Sequence, residues 1–389
     1  MANKTNYILS EYKFKPILIA SLCNYAGGGK LIHSLLDNHP DILTLPISPA
    51  IFCRLKSFNS YKKNQILNQL YNCKEFFDSR YDLRKGNNQI GKNKDQYIKV
   101  DRKIFKDHLR RFLNVNKWNL KNYLLSVYIS FQISQNRNFS KKKFISIYLH
   151  DIFFLKEVYL VFQNPIILCS VRVPINSFTS YTRNMFIKSR QFNITYQSRF
   201  LNYFYSFFEF IKINNKIHCI VIEELHRKPN NTMRKLCSIL KIKFHKNLLI
   251  STIDGKLWFN PRKYSYNGFN YDHHKQINYK EVDKKILQFF SDILEKFHFF
   301  FNYSDTISLN KKVKFPYVSI SKYYFNLFLF TYRKKTKYKN LKGYYKILKN
   351  FIKELIFLRK ETERVLKIDS NFNYRKKLVL ININKTKYF

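Results

Sequence analysis

Four short, nearly continuous apolar runs constrain this chain most: "ILIASL" (17–22), "FISIYL" (144–149), "PIILCSV" (165–171) and "IHCIVI" (217–222). A strand that is apolar at successive positions is covered on both faces, which is the condition of a parallel sheet. The segments between the runs carry helical spacing. "KLIHSLLDNHP" sets Leu31, Ile32, Leu35 and Leu36 on one face, with Pro40 as the stop. "DIFFLKEVYLVF" reads as a helix with Asp151 as N-cap. Pro174 opens a helix with Phe178, Tyr181 and Met185 aligned. "NITYQSRFLNYFYSFFEFIKI" lines up Phe200, Phe204, Phe207, Phe208 and Ile211, a stripe read as core. "EELHRKPNNTMRKLCSIL" reads as a turn and a helix. The expected class is therefore α/β, a parallel β-sheet core flanked by helices.

That core is expected over residues 1–304, with a largely helical insertion at about 50–140. "NQILNQLYNCKEFF" and "NLKNYLLSVYISFQI" supply its helices, and "GNNQIGKNKD" (86–95) its turn-rich connection. From 305 to 389 the chain becomes basic and aromatic ("KKVKF", "YRKKTKYKNLKGYYK", "NYRKKL") around one amphipathic helix, "YKILKNFIKELIFLRKETERVLKI". This reads as a mainly helical C-terminal extension.

Sites in parallel α/β folds gather at the carboxyl ends of the strands. The suggestive residues are all there: Gly27 to Lys30, His150, Arg172 and Glu223 each follow a strand. The chain has only 8 glycines, and three are consecutive, Gly27-Gly28-Gly29, before Lys30. A glycine loop between strand and helix can present successive backbone amides to a phosphate, and Lys30 adds a point charge. A plain flexible turn is the alternative. A nucleoside-triphosphatase loop, G-x-x-x-x-G-K-[ST], would need Gly and Ser/Thr where Asn24 and Leu31 stand. Leu31 lacks the hydroxyl that would hold magnesium, so the pattern favours a metal-independent phosphate site. In "CSVRVPINSFTSYTRN" Arg172 ends a strand and Ser180 lies eight residues on. A guanidinium and a hydroxyl so placed can grip a second phosphate, or simply decorate the surface. Two such sites together suggest a ligand with phosphates at both ends.

Lys and Arg number 71 against 25 Asp and Glu, a formal charge of +46. An anionic partner explains that excess; so does AT-rich coding bias, which also accounts for the abundance of Asn, Ile, Phe and Tyr. The six cysteines show no CxxC pair, so neither a disulfide framework nor a zinc site is expected. The longest apolar runs fall short of a membrane span, and "MANKTNYILSEYKFK" lacks the apolar core of a signal peptide. A cytoplasmic location is expected.

"PILIASLCNYAGGGKLIHSLLDNHPDILTLP" resembles the 5′-phosphosulfate loop of the PAPS-dependent sulfotransferase superfamily, and "IILCSVRVPINSFTSYTRN" its 3′-phosphate motif, with Arg172 and Ser180 at the family spacing. "HCIVIEELHRKPNNTMRKLCSILKI" and "STIDGKLWFNP" (251–261) resemble the later Tyr/Phe-Glu-Asp-Leu and Ser-Thr…Gly…Trp elements, so the resemblance spans roughly residues 15–265. It implies a P-loop-like sulfotransferase architecture and a cofactor-binding set of Gly27, Gly28, Gly29, Lys30, Leu31, Arg172 and Ser180. It implies PAPS as sulfuryl donor without a metal, and a hydroxyl or amine acceptor on a glycan or lipid-linked saccharide. Lys30 would stabilise the leaving group. His150 is the candidate base, and its alternative is merely to precede the Asp151 cap. His33 is a rival base that the pattern more readily packs, and Glu223 and Glu224 are expected to hold loops.

The loop departs from the family pattern. Ala26 and Gly27 stand where a basic residue and serine are usual, and Gly29 and Lys30 replace Ser/Thr and Thr. A catalytically degenerate nucleotide-binding protein therefore remains an alternative. So does a basic nucleic-acid-binding protein, although no nucleic-acid motif is present. Docking of the C-terminal extension on an anionic membrane surface is compatible with the enzyme reading.

Overall fold

The computed structural model describes residues 6–22, 27–79, 89–150, 152–189, 194–213, 216–259, 269, 284–301, 341–366 and 378–380. Asn24, Ala26, Cys23 and the Asp151 cap lie outside these, as do "KKVKF" and most of the two other basic runs.

The strands are β1 (Lys15–Ser21), β2 (Ile42–Leu43), β3 (Gln89–Ile90), β4 (Phe144–Tyr148), β5 (Ile166–Val171), β6 (Ile217–Val221), β7 (Thr252–Ile253), β8 (Lys256–Phe259) and β9 (Leu378–Leu380). The α-helices begin with α1 (Gly29–Leu36), α2 (Lys63–Tyr71), α3 (Lys74–Phe77), α4 (Arg102–Val115), α5 (Leu120–Ser134) and α6 (Leu155–Tyr159). They continue with α7 (Pro174–Ser189), α8 (Ile194–Ile213), α9 (Ile222–Arg227), α10 (Pro229–Leu240), α11 (Lys284–Phe300) and α12 (Leu341–Leu366).

The chain divides into two compact units. One holds residues up to Ser21, Gly29–Ser170 and Glu224–Asn270; the other holds Leu22–Gly28, Val171–Glu223 and Tyr271–Phe389. In the first, β2, β4, β1 and β5 form a parallel sheet in that order, with Ile17 opposite Ser146 on one side and Ile166 on the other. β1 is buried at six of its seven positions and β4 at all five, because each residue meets a neighbour on one face or the other. Helix α1 packs on β1 and β4. β3, β8 and β7 make a small antiparallel sheet. Asp101 caps α4 by accepting the amides of Lys103 and Ile104, and Asn119 caps α5 through the amide of Asn122. The region read as an insertion also contains 3-10 turns and the strand β3.

In the second unit β6 pairs in parallel with β9, Ile217 opposite Leu378. The aromatic stripe of α8 is core: Phe204 and Phe208 meet Phe297 of α11 at ring distances of 4.3 and 5.0 Å, and Phe200 meets Phe178 of α7 at 5.4 Å. Helix α12 packs along α8. Cys53, Cys73, Cys169, Cys219 and Cys237 are buried and unpaired with one another.

Three local expectations are corrected. Helix α1 ends at Leu36 and the reversal is made by left-handed Asn38 (φ 61°), two residues before Pro40. "DIFFLKEVYLVF" forms a 3-10 turn, Ile152–Phe154, and the five-residue α6, because its apolar residues cap the sheet edge rather than line one long face. No turn follows β6: α9 starts at Ile222, directly after the strand. Among the described residues no helix is long and apolar enough to cross a membrane.

Candidate functional site

In the second unit the site is built around the end of β5. Val171 closes the strand and Pro174 opens α7, so Arg172 sits in a short, fixed connection. Its side chain is 7% exposed. Nη1 donates to Ser180 Oγ at 3.1 Å, and Nε lies 3.5 Å from Glu223 Oε1. The same Glu223 oxygen accepts the amide of Val173 at 3.1 Å. Glu223 thus holds the connection and orients the guanidinium, the loop-holding task expected of it. Glu224 pairs with Arg227 at 2.5 Å.

Gly28 reaches the same place. It adopts φ 77°, and a Cβ there would collide with the Ile222 side chain, 2.6 Å from Cγ1. Only glycine meets both conditions. Ile222 is the residue before Glu223, so the glycine loop and the Arg172–Ser180 pair converge on the start of α9.

In the first unit Gly29 starts α1. Its amide donates to Ser21 Oγ at 3.0 Å, and Ser170 Oγ donates to the same hydroxyl at 3.1 Å. A Cβ on Gly29 would strike Ser21 Oγ, and would lie 3.2 Å from Tyr148 Cε2 and 3.4 Å from Ser170 Oγ. Two of the three glycines are therefore required by packing and backbone shape. The Gly29 amide is satisfied inside the fold by Ser21. The first turn of α1 continues with Lys30 and half-buried Leu31, where an α-helix leaves amides without intrahelical acceptors. The Lys30 ammonium stands 4.7 Å over the ring of Trp258, a cation–π contact. Trp258 is buried, and its Nε1 has no acceptor among the described residues.

The Tyr148 ring stacks between two histidines, His33 at 5.4 Å and His150 at 5.7 Å. His150 holds φ 72°, a left-handed backbone uncommon for histidine. His33 is buried between Ser146 Oγ (3.1 Å) and Leu45 O (2.8 Å), and burial depresses its pKa.

Sequence reasoning missed the Ser21–Ser170 hydroxyl pair and the role of Asp37. Thr252 Oγ1 and the Gly255 amide both donate to Asp37 Oδ2, at 2.8 and 2.7 Å. Asp37 thereby ties "LLDNHP" to "STIDG", two segments that drew notice separately. Their joint presence in one resemblance was the only signal. A polar cavity of about 340 Å³ lies beyond Asp37, lined among others by Thr44, Arg137, Lys142 and Asp254. Its lining includes Ile42 and Leu43 of β2 and Lys142, two residues before β4. No cluster of three or more metal-ligating side chains occurs among the described residues.

The fold and site define a parallel α/β protein with a glycine loop after β1 and an arginine held by a carboxylate after β5. No family model matches the sequence, and no curated protein matches it. Among solved structures, the sulfotransferase domain from the Synechococcus PCC 7002 olefin synthase is similar over 82% of this chain and 98% of its own, at 12% identity and a TM-score of 0.38. The sulfotransferase domain from the curacin biosynthetic pathway is similar over 73% of this chain and 98% of its own, at 13% identity and a TM-score of 0.39.

Proposed function

We propose that this chain binds a 3′,5′-bisphosphorylated adenosine and transfers a sulfuryl group from PAPS to a hydroxyl or amine, on an acceptor of the glycan or lipid-linked saccharide class. One observation carries the reading. Gly28 and the Arg172–Ser180 pair, picked out separately in the sequence as anion-binding elements, meet at Ile222 and Glu223.

Arg172 engages Glu223 and Ser180 through Nε and Nη1, which leaves Nη2 as the nitrogen to meet a 3′-phosphate. Such an arginine is oriented before the ligand arrives, which lowers the cost of binding. At the 5′ end, the amides of Gly27 and Gly28 and of the first turn of α1 are the donors, with the Gly29 amide already given to Ser21. The donor supplies the sulfuryl group. In transfer, its S–O bond to the nucleotide breaks as the acceptor oxygen or nitrogen bonds to sulfur. Lys30 offsets the charge left on 3′,5′-ADP. His150 takes the acceptor proton.

Calorimetric titration of the full chain with 3′,5′-ADP and with ATP, both in EDTA, tests the binding step. Saturable binding of 3′,5′-ADP, with ATP much weaker, is expected. Arg172→Ala should cost about 2–5 kcal/mol of that affinity. His150→Ala should abolish turnover and leave the affinity intact. Equal affinity for ATP, or an Arg172→Ala protein that binds as before, rejects the reading. Nucleotide binding without turnover on any acceptor would support the degenerate alternative.

A further inference from the structure

Helix α12 presents two faces of different character. At 100° per residue, Leu358, Glu361, Thr362 and Val365 fall on one side, and all four are buried. That side meets the second unit's own helices: α12 packs along α8. Lys349, Ile352, Lys353, Ile356, Phe357 and Lys360 fall on the other, and all six are exposed. The three apolar members are large and well out of the core, at 48%, 51% and 41% exposure. The strip runs about 17 Å along the helix.

Its charges are unequally answered. Arg359 pairs with Glu363 at 2.8 Å, and Arg364 with Glu361 at 2.7 Å. Lys349, Lys353 and Lys360 have no carboxylate partner among the described residues. Their stems can lie along an apolar surface while the ammonium groups reach for anions.

We propose that this strip seats the protein on an anionic lipid bilayer, with α12 lying in the plane of the headgroups. A bilayer interface takes both halves of the strip: acyl chains accept Ile352, Ile356 and Phe357, and acidic headgroups accept the lysines. The chain's +46 charge adds long-range attraction of the same sign. A nucleic acid would use the lysines alone, since isoleucine neither stacks on a base nor bonds a phosphate. The proposal is independent of the nucleotide reading.

Deleting the C-terminal part would not test it, because α12 packs on α8 and β9 pairs with β6. Point variants of the exposed residues leave those contacts alone. Vesicle flotation of the full chain is therefore compared for wild type, Lys349→Glu/Lys353→Glu/Lys360→Glu and Ile352→Gln/Ile356→Gln/Phe357→Gln. Vesicles of phosphatidylcholine alone and with one-fifth phosphatidylserine are used, and thermal melting checks that each variant folds. Wild type should float with the anionic vesicles only. The glutamate variant should lose about a hundredfold in vesicle affinity, and the glutamine variant at least as much at unchanged charge. Failure of wild type to float, or a glutamine variant that floats like wild type, overturns the proposal. Loss of single-stranded oligonucleotide binding in the glutamate variant, with vesicle binding retained, assigns the strip to nucleic acid instead.

Discussion

Gly29 sits where a methyl group would strike the Ser21 hydroxyl, while its own backbone dihedrals are those of an ordinary helical residue. That separates it from Gly28, whose left-handed φ penalises any side chain. The difference is measurable. Gly29→Ala overpacks the site and should destabilise the fold by about 1–3 kcal/mol. Combining it with Ser21→Ala removes the oxygen that the methyl strikes, so the double variant should be more stable than the sum of the singles by about 1 kcal/mol. Gly28→Ala should show no such rescue by Ser21→Ala. Urea denaturation of the set decides it, and strict additivity at Gly29 would mean that the contact is not what excludes alanine. The run of glycines was legible as unusual in the sequence, but its cause was not. Ser170 is far from Gly29 in the chain, and its hydroxyl joins that of Ser21 beside Gly29 only once β1 and β5 have paired.

At the scale of elements, the strands were legible because a parallel strand needs no partner pattern to be recognised. β1, β4, β5 and β6 begin and end within two residues of their apolar runs. The aromatic stripe of α8 was legible for the same reason, being periodic in one segment. What it packs against was not, since Phe297 of α11 and Phe301, just past its end, come almost a hundred residues later. Strand β9 was missed: three residues, Leu378–Leu380, in a basic stretch give no periodic signal, and pairing with β6 makes the strand. Phe297 is fully buried and touches both Phe204 and Phe208. Phe297→Ala should therefore cost about 3–5 kcal/mol. A loss below 1 kcal/mol by equilibrium denaturation would show that α11 does not close the aromatic core.

For the whole molecule, stability and pH are linked through histidines that fold in the neutral form. Burial lowers the pKa of His298 to about 4, and burial together with the charge of Lys216 lowers that of His218 to about 4. The unfolded chain takes up these protons near 6.5, so it binds more protons than the folded state between pH 6.5 and 4. Stability is then full above pH 6.5 and falls as the pH drops through that window. His298 contributes a loss of about 2 kcal/mol at pH 5, and the less deeply buried His218, where solvent screens the charge, a smaller one. Denaturation midpoints at pH 7.5 and 5 check this, and a midpoint that rises on acidification would contradict it.

The central claim is that Gly27–Gly28 and the Arg172–Ser180 pair hold the two ends of one bisphosphorylated nucleotide. A crystal structure of the full chain with 3′,5′-ADP tests it most directly. The 3′-phosphate should lie within hydrogen-bond distance of Arg172 and Ser180, with the 5′-phosphate against the main-chain amides of the glycine loop. A nucleotide seated elsewhere, or these residues unchanged and without phosphate at saturating concentration, would contradict the account.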